Sequence, residues 1–227
     1  MKSWNDITFK EYIDYSSILT DENLKLADKM TSLLSLDRGK SVEFDENTDI
    51  EFAREFSWMF KTPPSLPYSA IRKIVEEDYK WEAPNADMMR VSQWIDFSII
   101  TKNEVYKEYE KLEKLLSVFG VTDYTDKPAI IVVNYIKEWA NQIRLISETF
   151  PLIFSSSASD SKPSYESSGL NDYGIIPFVF RICEKANEPY ETVLGWKVVL
   201  FFYLTNYLIL ESKEQEKQAK MWQAKHR

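Results

Sequence analysis

The 227-residue sequence predicts a mainly α fold, and three observations carry that expectation. Glycine is scarce, with five residues in the chain, whereas tight-turned all-β folds and phosphate-cradling loops need more of it. Val132, Ile136, Trp139, Ile143, Ile146 and Phe150 alternate four and three apart, the spacing of one helical stripe. Thr8 with Glu11, Thr48 with Glu51, and Thr101 with Glu104 follow the Ser/Thr-x-x-Glu pattern that caps helix N-termini. The architecture expected is a helical bundle with a small β-hairpin near 71–83, plus a C-terminal helical unit.

From the N-terminus, 8–19 and 21–36 read as a helix pair closed by the turn "DRGKS" at 37–41. The acidic "EFDENTDIEF", 43–52, suits a helix start, since Asp49 and Glu51 follow Thr48 and favour the positive end of the dipole. A cation site would need several oxygen ligands on one tight loop. "TPPSLP" at 62–67 breaks the chain. The segment after it, "IRKIVEEDYKWEA", reads either as helix or as a hairpin turning at Glu77-Asp78, the hairpin being favoured. A second helix pair spans 90–118, with Val105, Tyr109, Leu112, Leu116 and Phe119 as its stripe, and 128–150 is the clearest helix, opened by Pro128. The expected domains are 1–150, a Ser-rich linker over 151–172, and a unit at 173–227 ending in a long charged helix.

The two helix pairs echo one another. Tyr12-Ile13-Asp14-Tyr15-Ser16 aligns with Trp94-Ile95-Asp96-Phe97-Ser98 at an offset of 82, and ten of the 25 residues from 12 to 36 are identical across it. Two amphipathic helix pairs could share this much by chance; a common structural unit is the reading favoured. It places Ile13, Ile95, Leu33 and Leu115 at equivalent buried positions.

Composition narrows function. A formal net charge of −8 argues against nucleic acid as a partner, because phosphate contacts need a basic face. "VVLFFYLTNYLIL", 198–210, is too short to span a bilayer core of roughly 30 Å, so no membrane is expected. "MKSWNDITFKEY" lacks the apolar run of a signal peptide, and the lone Cys183 fits a reducing compartment. The one histidine, His226, stands next to last, so neither histidine-based nucleophilic catalysis nor a zinc site is expected. No glycine-rich phosphate motif occurs. Catalytic and cofactor-binding residues, metals and cofactors are therefore expected to be none, and the protein a non-enzyme. Carboxylates are plentiful enough for a glycosidase-like pair, but charged helical faces explain them more simply.

Several stretches resemble the tail assembly chaperones of long-tailed bacteriophages. "WNDITFKEYIDY" is similar to that family's start, "RVSQWIDFS" at 90–98 to an internal Gln-aromatic-Ile-Asp-Phe segment, and "YKEYEKLEKLLSVF" to the helix after it. Tyr173-Gly174, Glu191-Thr192-Val193 and the run from Trp196 resemble the extension of its longer forms. The chain departs from the family at "CEKANEP", where small residues are usual, and the 128–150 helix has no counterpart. The resemblance implies a helical protein of the host cytoplasm that binds apolar helices of a tape measure protein and keeps it soluble during tail assembly. The alternative is a structural component retained in the virion. Partner-binding residues are expected on the C-terminal helix at Trp196, Val199, Phe202, Tyr203, Tyr207 and Leu210, with self-association on the same surface.

Overall fold

The computed structural model describes residues 3–45, 47–154 and 175–226. Eleven α-helices and no strand occur among them, so the mainly α expectation holds. In chain order they are α1 (Phe9–Thr20), α2 (Leu26–Arg38), α3 (Thr48–Phe56), α4 (Tyr68–Lys73), α5 (Val91–Lys102), α6 (Glu108–Val118), α7 (Ala129–Thr149), α8 (Pro151–Phe154), α9 (Ile176–Ala186), α10 (Tyr190–Leu194) and α11 (Val198–Lys225).

The hairpin near 71–83 is absent. α4 runs into a π-helical turn, Ile74–Asp78, closed by Tyr79 N–H donating to Ile74 O and Trp81 N–H to Val75 O. Ile71 and Val75, four apart, are both buried, so the apolar spacing that decides the segment is helical. The Thr8–Glu11 box forms, with Glu11 Oε2 accepting from Thr8 N–H at 2.8 Å. The other two do not. Thr48 instead bonds Asp45, and Glu51 pairs with Arg38 at 2.9 Å. Thr101 lies in the last turn of α5, and the next helix begins after Lys107, whose N–H Glu110 accepts. Val105, expected on the second pair's stripe, lies before α6 and is exposed. The Ser-rich linker falls mainly outside the described residues, although 151–154 form α8.

The chain divides into two compact units that do not follow the order read from the sequence: 1–84 with 100–138, and 85–99 with 139–227. The division falls inside α5 and inside α7.

In the first unit, α1 packs on α2 and α2 on α3 around an aromatic cluster. Trp58 meets the edge of Trp4 at 5.2 Å, and Phe56 that of Tyr15 at 5.3 Å. The Tyr15 hydroxyl donates to Asp37 at 3.1 Å, which gives the ring's polar tip a partner. Two backbone bonds tie α1 to α7: Phe9 N–H donates to Lys127 O, and Ala129 N–H to Ile7 O. The segment 64–82 lies against α7, where the buried Asn134 amide accepts from Leu66 N–H and donates to Pro64 O, while Tyr135 donates to Glu82 O and meets Trp81 edge-on at 5.3 Å.

In the second unit the same tie recurs. Val91 N–H donates to Trp196 O and Val198 N–H to Met89 O, so Arg90 faces Lys197 as Thr8 faces Pro128. Trp94, Phe150, Phe154 and Phe202 form its aromatic core, with Trp94 to Phe202 at 4.8 Å and Phe154 to Phe202 at 5.0 Å.

The 82-residue echo extends to the helix boundaries, although α1 packs on α2 whereas most of α5 and α6 fall in different compact units. α5 starts and ends 82 positions after α1, and α6 starts 82 after α2. The connecting turns match as well: Asp21 Oδ1 accepts from Asn23 N–H and Asn103 Oδ1 from Val105 N–H, both at 2.9 Å. Leu33 and Leu115 are both buried, whereas Ile13 and Ile95 are half-buried. Tyr15 and Phe97, two positions on, take the inward places instead. The backbone ties extend the correspondence to α7 and α11 at an offset of 69.

Candidate partner-binding helix face

α11 takes its phase from its start. Gly195 and Trp196 close a turn after α10, Lys197 is extended, and the bond from Val198 N–H to Met89 O fixes which side of the helix enters the core. Val198, Phe201, Phe202, Thr205 and Leu208 then point inward at helical spacing. Thr205, a polar residue with no solvent exposure, donates its hydroxyl to Phe201 O at 2.9 Å.

The other side is apolar and open. Leu200, Tyr203, Leu204, Tyr207 and Leu210 are all exposed, Tyr203 at 60% and Tyr207 at 62%, although one side of the Tyr203 ring meets Phe150 at 5.0 Å. Of the six residues expected to bind a partner, Tyr203, Tyr207 and Leu210 are on this face. Phe202 is not: it has no exposure and packs in the aromatic core, so it leaves the candidate set. Val199 and Trp196 are half-buried, and the Trp196 carbonyl accepts from Val91 N–H. Leu200 and Leu204 were missed because a helix apolar nearly all round gives no periodic sign of which side is covered.

The correspondence between α7 and α11 gives that face a reference. Ile131, Asn134 and Tyr135 are the counterparts of Leu200, Tyr203 and Leu204, and all three are buried. Asn134 and Tyr135 are held by the 64–82 segment of the chain.

Comparison with protein-family models, curated proteins and solved structures found no match to this chain. The α11 face is therefore read from its own chemistry.

Other places offer less. A groove of about 480 Å³ is lined by Ser17, Ile18, Asp21, Glu22, Lys107 and Tyr109, among others. The Lys107 ammonium in it is already engaged, 3.3 Å from Glu22 Oε1 and 3.4 Å from Thr20 O. Among the described residues no group of three or more His, Cys, Asp or Glu could hold a metal ion. His226 stacks on Trp222 at the exposed end of α11, and Cys183 is half-buried on α9. No helix among the described residues is long and apolar enough to cross a membrane.

Proposed function

We propose that the protein is a non-catalytic chaperone of phage tail assembly, which covers apolar helices of a tape measure protein and keeps it soluble in the host cytoplasm. One observation carries this reading: α11 presents Leu200, Tyr203, Leu204, Tyr207 and Leu210 to solvent, while the three counterparts of its first half on α7 are buried. Leu200, Tyr203, Tyr207 and Leu210 alternate three and four apart, the spacing with which one helix lies along another. The aromatic rings add contact area at little cost in side-chain entropy. Similarity of "WNDITFKEYIDY", "RVSQWIDFS" and the Glu191-Thr192-Val193 element to tail assembly chaperones supports a tape measure protein as the client.

Co-expression with the candidate tape measure protein tests it. The expected result is a soluble complex with the wild-type chain, lost with Tyr203→Glu and Leu204→Glu while circular dichroism is unchanged, and no copy of the chain in mature particles. A tape measure protein that stays insoluble beside the folded wild-type chain overturns the reading. Retention of the chain in particles points to the virion component instead.

A further inference from the structure

The distal half of α11 has a second property. Tyr207, Leu210, Glu214, Lys217, Met221 and Ala224 continue the three-and-four alternation that begins at Leu200, so one straight seam runs along the helix. All six are exposed, and from Lys213 to His226 every described residue of the helix end is exposed. Arg181 on Ser212 and Lys185 near Glu211 are contacts from α9 just before this stretch. A solvated helical stretch of this length is marginal alone in water.

The seam complements itself in one direction only. In a parallel, in-register pair Glu214 would face Glu214 and Lys217 would face Lys217, and like charges at facing positions repel. In an antiparallel pair centred between Gln215 and Glu216, Glu214 of each copy faces Lys217 of the other. The same register sets Leu210 against Met221 and Tyr207 against Ala224, apolar on apolar and large on small. We propose that two copies of this chain associate through an antiparallel pairing of their α11 helices over residues 207–224. The central Glu214–Lys217 layers fix direction and register, as polar residues within an otherwise apolar seam do. The pairing covers Tyr207 and Leu210 of the client face and leaves Leu200, Tyr203 and Leu204 open beyond the paired stretch. The pairing does not rest on the chaperone reading, since it needs no client.

Light scattering on the full chain across a concentration series reads the association directly. The wild-type chain is expected to double its mass as concentration rises. Glu214→Lys alone and Lys217→Glu alone each set like charges face to face and are expected to weaken association by roughly tenfold or more. The double reversal E214K/K217E restores opposite charges and is expected to return the wild-type association. Both positions are exposed, so circular dichroism of every variant should match wild type. A wild-type chain that stays monomeric up to roughly millimolar concentration overturns the proposal. So does a dimer indifferent to the single reversals, or one that the double reversal fails to rescue, because its seam then lies elsewhere or runs parallel. Client binding by a strictly monomeric chain would sink the dimer and leave the chaperone reading standing; a dimer that binds no client does the reverse.

Discussion

Lys80 holds φ at 59°, in the left-handed region, where a side chain beyond glycine costs roughly 1 kcal/mol. It follows the π-helical turn and lets Trp81 N–H reach back to Val75 O. Lys80→Gly should therefore stabilise the protein by about 0.5–1 kcal/mol, read from urea denaturation, the loss of the 2.6 Å bond from Lys80 Nζ to Glu77 O being a small offset at an exposed site. Asn134 works the other way. Its buried amide holds both Leu66 N–H and Pro64 O, and Asn134→Ala should cost about 1–3 kcal/mol and expose the 64–82 segment to protease. Tyr12 carries a pH dependence. Burial raises its phenol above the ordinary 10.0, a hydrogen bond with Ser16 opposes this, and the nearby Glu108 carboxylate adds to it. The fold thus favours the neutral phenol. That stabilisation is present below the unfolded value and is lost as pH rises through the raised one. Alkaline unfolding followed by circular dichroism should move to higher pH in Tyr12→Phe.

At the scale of the element, α11 separates two kinds of apolar residue that look alike in sequence. Phe202 sits between Trp94, Phe150 and Phe154, so Phe202→Ala should cost about 3–5 kcal/mol and lower the melting temperature markedly. Leu204→Ala, two positions along on the open side, should change stability by about 0.5 kcal/mol or less. A pair of thermal melts distinguishes the two sides, and equal losses would place Leu204 in a covered face. Helix ends were legible only where the Ser/Thr-x-x-Glu pair met no competing partner. Thr8 and Glu11 satisfy each other within four residues, whereas Thr48 and Glu51 found closer bonds to Asp45 and Arg38, groups that the Ser/Thr-x-x-Glu pattern does not weigh. The 71–83 segment was misjudged for a related reason. Alternation of apolar residues over so short a run fits both periods, and the burial of Ile71 and Val75 decides for the helix.

On the scale of the molecule, the two compact units interleave along the chain. The second needs 85–99 as well as 139–227, and its core joins Trp94 to Phe202. A fragment cut at residue 150 should therefore leave Trp94 and Phe150 without their aromatic neighbour. Limited proteolysis should degrade its 85–99 and 139–150 stretches while 1–84 resists, and a fully resistant fragment would show that α11 is dispensable to that core.

What the sequence by itself determined is local: the helical class, most helix positions, the stripe from Val132 to Phe150, and the shared helix boundaries signalled by the identities between 12–36 and 94–118. These depend on residue spacings within a few turns, which the chain carries explicitly. The likeness between the starts of α7 and α11 depends on tertiary structure alone. None of residues 124–139 matches its counterpart in 193–208, yet Lys127 with Ala129 and Trp196 with Val198 make the same pair of backbone bonds. Backbone bonds leave no residue signature, and a core position accepts Val132 or Phe201 alike where the surroundings leave room. The open side of α11 was hidden for the same reason. Hydrophobicity marks a surface as needing cover, and only the bond from Val198 N–H to Met89 O, by setting the helix's rotation, decided which side received it.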